Sequence, residues 1–272
     1  MKLTASRWMF DGLSGLGLRT TRALTGLGDV ALFSLSTFGW MVRARPRQGT
    51  LVRSFYQIGV LSLPVVALTG TFIGMVLAVH SFNQFSLVGL QSWVGGVINR
   101  ALVRELGPVL AATMLAGRVG SAMAAELGTM RITEQIDALS TMGTNPIHYL
   151  VVPRFLGCLV LIPTLTVMAD FMGVSGGYLF CTVLLGVDSH HYWQHAQHFV
   201  GNVDLAIGLV KSLFFGAAIG LVSCHQGFNS EGGAEGVGSA ATRAFVYSFV
   251  TILLLDLLLG ILLDVAVHAM RW

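Results

Sequence analysis

The sequence predicts an all-α integral membrane protein, with an N-terminal interfacial helix followed by about five transmembrane helices. Three observations carry this. Hydrophobic residues make up 54% of the 272 and charged residues only 11%, against about 25% charged in soluble domains, and mean hydropathy is +0.74. From Ser54 to Asn99 there is no Asp, Glu, Lys or Arg, a run longer than the roughly 20 apolar residues that cross a bilayer. Further apolar runs follow, parted by short polar stretches over which arginine is unevenly spread. The net charge of +3 comes from loop arginines and not from one basic face, which argues against a nucleic-acid partner. Cys158, Cys181 and Cys224 all lie in apolar runs, so buried packing suits them better than a disulfide framework or a zinc site.

Taken in order, residues 1–53 read as a cytoplasmic or interfacial helical segment and 54–272 as a transmembrane domain. Lys2, Arg7, Arg19 and Arg22 mixed with Trp8, Met9 and Phe10 suit an amphipathic helix on an anionic membrane surface. No cleavable signal is evident, since no small-residue cleavage site follows the first apolar stretch. Leu24 to Val42 is apolar but short and basic on both flanks, which favours lying in the interface over crossing it. The first span is expected at about Phe55–Ser81, kinked by Pro64, with a wet turn around Asn83–Gly89. Its Gly70 and Gly74 form a GxxxG pair, as do Gly173/Gly177 and Gly216/Gly220, each a weak signal for close helix approach. A second span is expected at Ala101–Ala125, opened by Arg104 and Glu105, with Arg118 deeper. A third follows at Phe155–Leu185 with Asp170, and a fourth at Leu205–Ser223, whose Lys211 is expected to snorkel to the interface. The last, Ala244–His268, carries Asp256 and Asp264; for these two and Asp170, helix–helix hydrogen bonding is the default expectation.

The arginines set an expected orientation. Arg43, Arg45, Arg47 and Arg53, then Arg131 and Arg154, then Arg243 mark three segments as cytoplasmic, and the Arg-free stretch 186–204 faces out. Arg100 and Arg104 fall on the outer side against that rule. Within the second cytoplasmic segment, about 131–146, Ile132, Ile136 and Leu139 recur at helical spacing while Glu134 and Asp137 lie on another face. Thr133 is a candidate cap and Gly143 with Asn145-Pro146 a stop. The segment is either a surface helix tucked under the membrane domain or a coupling helix for a cytoplasmic ATPase.

The stretch ELGPVLAATMLAGRVGSAMAAELGTMRITEQIDALSTMGTNPIHYLVVPR, residues 105–154, resembles the MlaE (YrbE-type) permease family of ABC phospholipid transporters. The resemblance extends over nearly the whole chain from about residue 50, including SAATRAFV after the Gly-rich stretch. It implies a homodimeric permease in the inner membrane of a diderm bacterium, moving phospholipid and maintaining outer-membrane lipid asymmetry. Its implied partners are a cytoplasmic ABC ATPase, a STAS-domain protein and a periplasmic ring of MCE-domain proteins. It places Arg104, Glu105, Leu106 and Leu110 at an outward-facing lipid cavity, Arg104 meeting phosphate and Glu105 shaping or gating the pocket. Glu134, Gln135, Ile136, Asp137, Leu139, Met142 and Gly143 become the ATPase-coupling set.

Independently of that resemblance, the sequence contains no G-x-x-x-x-G-K-[ST], so ATP and Mg are expected on a partner subunit and no cofactor on this chain. Glu105 also has a plainer reading, a structural pair with Arg100, Arg104 or Arg118. His191, His195 and His198 repeat at helical spacing, yet without carboxylate or cysteine at metal-ligand spacing. An external interfacial helix with Tyr192 and Trp193 at the headgroups fits better than zinc. The Gly-rich stretch 225–243 follows a membrane span and not a strand, and reads as a cytoplasmic connector. Two other functions compete. An ion-driven secondary carrier working through Asp170, Asp256 and Asp264 would show inverted repeats, and none is visible; a non-transporting anchor for an MCE complex would tolerate any residue at Glu105.

Overall fold

The computed structural model describes residues 21, 24–26, 28–43, 48–87, 89 and 93–270; apart from Thr21, the amphipathic segment expected over 1–23 lies outside them. The described residues form helices and turns with no strand. Five helical segments are long and apolar enough to cross a membrane: Gly49–Ser86, Val94–Ile132, Ile147–Leu184, Asn202–Phe228 and Gly233–Ala269. All five exceed or shift the limits expected from hydropathy, because the helices continue through polar residues at their ends.

Helix α1 spans 28–43 and falls outside the five spans. It lies across one end of the bundle, where Phe33 meets His225 and Phe228, Phe38 meets Phe155, and Trp40 meets His148. The first span divides into α2 (Gln48–Ile58) and α3 (Leu63–Ser86), joined by a single 3₁₀ turn at Val60–Ser62. Pro64 has no N–H for the carbonyl of Val60, so the break falls where the proline puts it. The helix carries on through Asn83 to Ser86, so the turn begins later than expected.

The second span is three α-segments, α4 (Val94–Ala101), α5 (Gly107–Leu115) and α6 (Ser121–Ile132), linked by π turns at Leu102–Leu106 and Ala116–Gly120. Pro108 explains the first. It leaves the carbonyl of Arg104 without its i+4 donor, and Gly107 N–H reaches back to Leu102 instead. Pro153 does the same to Tyr149 in the π turn Ile147–Val151 that leads into α8 (Val152–Leu179).

Helix α8 is the centre of the bundle. On one side Gly70 and Gly74 of α3 face Ala169 and Gly173, and Gly176 meets Thr71. On the other side Gly216 and Gly220 of α10 (Asn202–Phe228) face Phe155 and Cys158. The three weak GxxxG pairs are thus two faces of one helix packed at backbone contact. Helix α11 (Gly233–Met270) packs through Ala240, Ala244, Ser248 and Ile252, one stripe spaced by four, and leaves Leu254, Leu257, Leu258, Ile261 and Leu262 exposed.

Between the second and third spans, α7 (Gln135–Thr141) follows α6 after Glu134, whose φ of 58° turns the chain. Thr133 does not cap it; its Oγ1 donates to the carbonyl of Thr129 at the end of α6. Residues 225–243, expected to be a connector, are helical except for 229–232. Gly232 and Gly233, both at positive φ, make the tight reversal that a continuous pair of helices needs.

At the far end α9 (Ser189–Phe199) packs on α4. Tyr192, expected at the headgroups, is fully buried: its ring fills the space over Gly95 and its hydroxyl donates to Asn99 Oδ1 at 3.3 Å. Burial pushes its phenol pKa up. His195 stacks on Trp93 and His191 lies 3.7 Å from Asp188; among the described residues no group of three or more His, Cys, Asp or Glu gathers as for a metal.

A Cβ at Gly74 would overlap the Gly173 carbonyl, whereas one at Gly238 would meet nothing within 4 Å. Gly74→Val should therefore destabilise the protein by at least about 2 kcal/mol, read as thermal unfolding in detergent, while Gly238→Ala leaves the transition in place.

Candidate functional site

At the end of the bundle opposite α7, a charged cluster grows out of the π turn Leu102–Leu106. The wider turn carries Arg104 and Glu105 in its middle, eleven and twelve residues into the helix segment and not at its start as expected. Arg104 Nη1 donates to Asp204 Oδ1 at 3.0 Å, and its Nη2 engages Asp264; Arg100 lies 3.6 Å from the same Asp204 oxygen. Glu105 receives Lys211 Nζ and lies 3.7 Å from Arg104 Nε. Lys211 Nζ is also 3.0 Å from Asp256 Oδ1, an ion contact without hydrogen-bond alignment. Four carboxylates from three helices thus enclose three cations.

One expectation is corrected by this cluster. Lys211 does not snorkel; it has no exposed surface at all, because acids from two neighbouring helices neutralise it where it stands. Asp264 does bond helix to helix as expected, accepting from Arg104 of the second span, whereas Asp256 meets Lys211 as an ion contact without a hydrogen bond. Glu105 does have a structural partner, but that partner is chiefly Lys211, with Arg104 second and neither Arg100 nor Arg118 involved. Asp170 sits behind the turn, close to Gly107, where any side chain would collide with its carboxylate; its Oδ1 has no hydrogen-bond partner among the described residues.

The cluster borders an open pocket of about 550 Å³. Arg100, Arg104, Glu105, Asp264 and His268 supply its polar wall, and Val97, Ala101 and Phe199 its apolar one. Such a pocket joins fork-shaped cationic donors to apolar surface, the two features of an amphiphile with an anionic head. Of the four residues the resemblance placed at a cavity, Arg104 and Glu105 line this one. Leu110 lines a separate small crevice between α3, α5 and α8, and Leu106 is half-buried at the end of the turn. Asp204, Asp264, Lys211 and His268 were not assigned to the site. Part of the signal was present: ionisable residues in spans pair with one another, and Asp204 and Lys211 are seven apart on one helix face, which says that they have partners but not on which helix.

At the α7 end, the coupling candidates divide by burial. Ile136 is 3% exposed and Leu139 half-buried, packed with Leu127, Leu150 and Val151, so these two hold α7 to the bundle, and of the pair only Leu139 keeps some surface outward. Glu134, Gln135, Asp137 and Met142 are exposed, Met142 at 79%. Asp137 accepts from Arg131 at 2.6 Å, and Gly143 turns the chain at φ 75°.

Residues 51–262 match the family profile described as Permease MlaE. A probable ABC transporter permease protein of Rickettsia felis is 42% identical over 246 residues, covering 90% of this chain and 95% of the relative. A probable ABC transporter permease protein of Synechocystis sp. is 37% identical over 250 residues, with 91% and 95% covered. The chloroplastic protein TRIGALACTOSYLDIACYLGLYCEROL 1 of Arabidopsis thaliana is 39% identical over 202 residues, covering 74% of this chain and 58% of that protein.

Removing one partner of a buried ion pair strands the others. Lys211→Met should cost about 2–3 kcal/mol, somewhat less than for fully buried pairs because Glu105 is half exposed, and adding Glu105→Gln should recover part of that loss. Thermal unfolding of the two variants beside the wild type checks this; an unchanged midpoint for Lys211→Met contradicts it.

Proposed function

The chain belongs to the MlaE permease family, and from that premise we propose that it moves phospholipid between the inner membrane of a diderm bacterium and periplasmic MCE-domain carriers. That it is a multi-pass ABC transporter permease, a transport subunit and not an enzyme, follows from the family itself. The cargo is supported above all by the pocket beside Arg104, where guanidinium groups and apolar side chains line one open space. One relative named for a galactosylated diacylglycerol is in keeping with a lipid cargo.

In this reading the pocket faces the periplasm and α7 the cytoplasm, as the arginine distribution asks. Arg104 spends its donors on Asp204 and Asp264. A phosphate arriving from outside displaces the more exposed of the two, Asp264, whose side chain is 53% exposed against 8% for Asp204. Each charge-assisted contact so formed is worth roughly 1.5–3 kcal/mol before the displaced bond is counted. Glu105, held by Lys211, sets the negative wall of the pocket and orients the head.

The chain works as a C2 homodimer, since paired ATPases need paired docking sites. The largely uncovered apolar face of α11 is the surface that a second copy and lipid would share. A cytoplasmic ATPase meets the exposed residues around α7, Glu134, Gln135 and Met142, with a STAS-domain protein beside it and an MCE ring on the far side. ATP hydrolysis then reaches the pocket through α6 and its π turns, which lie on one continuous helical segment with Arg104.

Lipid mass spectrometry of the complex purified with its partners tests the cargo. Arg104→Ala should lower bound phospholipid and Asp264→Asn raise it, with assembly intact. Transport that persists when the partner ATPase's phosphate-binding lysine is replaced would instead favour an ion-driven carrier.

The coupling face has its own test. Met142→Glu with Gln135→Lys should leave the fold unchanged but release the ATPase on co-purification, whereas Ile136→Glu should unfold the α7 end. Retained ATPase and full transport in the double variant would remove α7 from the interface.

A further inference from the structure

A second cavity, about 450 Å³, opens at the α7 end of the bundle. Its walls come from the break between α2 and α3 (Gln57, Leu61), from the second span (Arg118, Glu126) and from the start of α8 (Arg154). Arg118 stands in the middle of the π turn Ala116–Gly120, about 14 residues and so roughly 21 Å along the helix from Arg104. It is about as far again from the end of α6 at Ile132. Arg118 is thus midway along this part of an apolar span, and the cavity extends from it toward α7 through Glu126 and Arg154, apart from the pocket already described.

Its charges do not balance. Arg154, only 8% exposed, donates to the carbonyl of Leu150 at 2.8 Å and pairs with Glu126 at 2.9 Å. Arg118 donates to Ser62 Oγ and, at 3.5 Å, to the carbonyl of Gln57, which a continuous helix would have paired with Leu61 N–H. Both partners are neutral, and Arg118 has no ion pair among the described residues. Two guanidinium groups therefore face the cavity with one carboxylate between them. A cation held at this depth without a counter-charge points to an anion that the cavity receives. The same helix break borders an apolar groove of about 410 Å³, lined by residues such as Phe55, Val60 and Leu161, so apolar surface lies at the same depth as the cationic group.

We infer that this cavity is a second lipid station, which takes the phosphate of a phospholipid headgroup from the leaflet on the α7 side, with Arg118 as its free donor and Arg154 held beside it by Glu126. The inference rests on the reading that the cargo is phospholipid, and adds to it a site in the opposite leaflet. The planar fork of Arg118, anchored on one edge by Ser62, leaves donors for two phosphate oxygens. Glu126 lowers the net charge to that of one cation, which matches a single phosphodiester and leaves a multivalent anion only partly compensated.

Photocrosslinking in the assembled transporter tests it. A benzoylphenylalanine is placed at Leu61, which lines this cavity, or at Val97, which lines the other. The vesicles contain either phosphatidylglycerol with phosphatidylethanolamine or a phosphate-free galactolipid. In phospholipid vesicles Leu61 should yield a lipid adduct that falls on the order of tenfold with Arg118→Gln. The adduct should return largely with Arg118→Lys, and the Val97 adduct should stay unchanged throughout. An undiminished Leu61 adduct in Arg118→Gln, or an equal yield from galactolipid, overturns the second station while leaving the first pocket standing. Retention of radiolabelled inorganic phosphate without any Leu61 lipid adduct overturns it too, marking a site for a soluble anion. The galactolipid arm needs no variant, so a misfolded substitution does not spare the inference. Loss of adducts at both positions would sink the phospholipid cargo itself.

Discussion

A lysine ammonium with no accessible surface, in a span surrounded by hydrocarbon, has to be neutralised where it stands, since desolvating an ion costs several kcal/mol. Lys211 meets that demand with Glu105 from the second span and Asp256 from the last. Three helices are tied at one level by a requirement of one side chain. Backbone contacts agree with it: Gly208, one turn before Lys211, has no side chain, so α10 comes against the Val103 carbonyl and the Pro108 ring. Gly260 likewise leaves room near the ammonium. With the lysine fixed, Glu105 is fixed, and with Glu105 the π turn that also aims Arg104 at Asp204 and Asp264.

Proline and glycine divide the remaining work. Pro64, Pro108 and Pro153 each remove one donor from a helix that continues around the loss, as a 3₁₀ turn in the first case and as π turns in the other two. The breaks free or redirect backbone at the places where charged side chains collect: Arg104 in one π turn, Arg118 on the carbonyl exposed by the first break. Glycines do the opposite. Along α3, α8 and α10 they let backbones touch, which holds α8 close to its neighbours on two sides.

Hydropathy made the five spans legible, because burial in lipid writes long apolar runs. It could not place their ends. Helices continue into polar sequence when tertiary contacts hold them, as at 225–243, where Ala240 and Ala244 are buried against α6 and α10 although the composition reads as a Gly-rich connector. The amphipathic pattern of 132–139 was legible too, but periodicity cannot say whether the apolar face meets its own domain or a partner; Ile136 is core. Arg104 and Glu105 stood out as costly residues. Their partners did not, because Lys211 and Asp264 are 107 and 160 residues from Arg104, and spacing within one helix carries no information about which helix comes alongside. Arg118 was noted as a deep residue and as one candidate partner of Glu105: its significance lies in a missing carboxylate, and an absent partner has no signature in sequence.

The composition of the outer cluster bears on how a phosphate would be handled there. With four carboxylates around three cations, the resting cluster is already self-satisfied, and binding becomes an exchange of one anion for another. The gain from Arg104–phosphate contacts is offset by the loss of Arg104–Asp264, so the net free energy is a small difference between two terms of similar size. A site for a permanent ligand would waste affinity that way; a site that must also let go would not. Asp264, more than half exposed on a helix whose apolar face is largely uncovered, is the group best able to yield and to return. The station at Arg118 has the reverse arrangement, a cation with no acid of its own and neutral anchors. Capture would be stronger there, since the one carboxylate of that cavity, Glu126, is held by Arg154. Two sites so arranged on one helical segment differ in kind: at one an arriving anion must displace an acid, and at the other it meets a cation that has none.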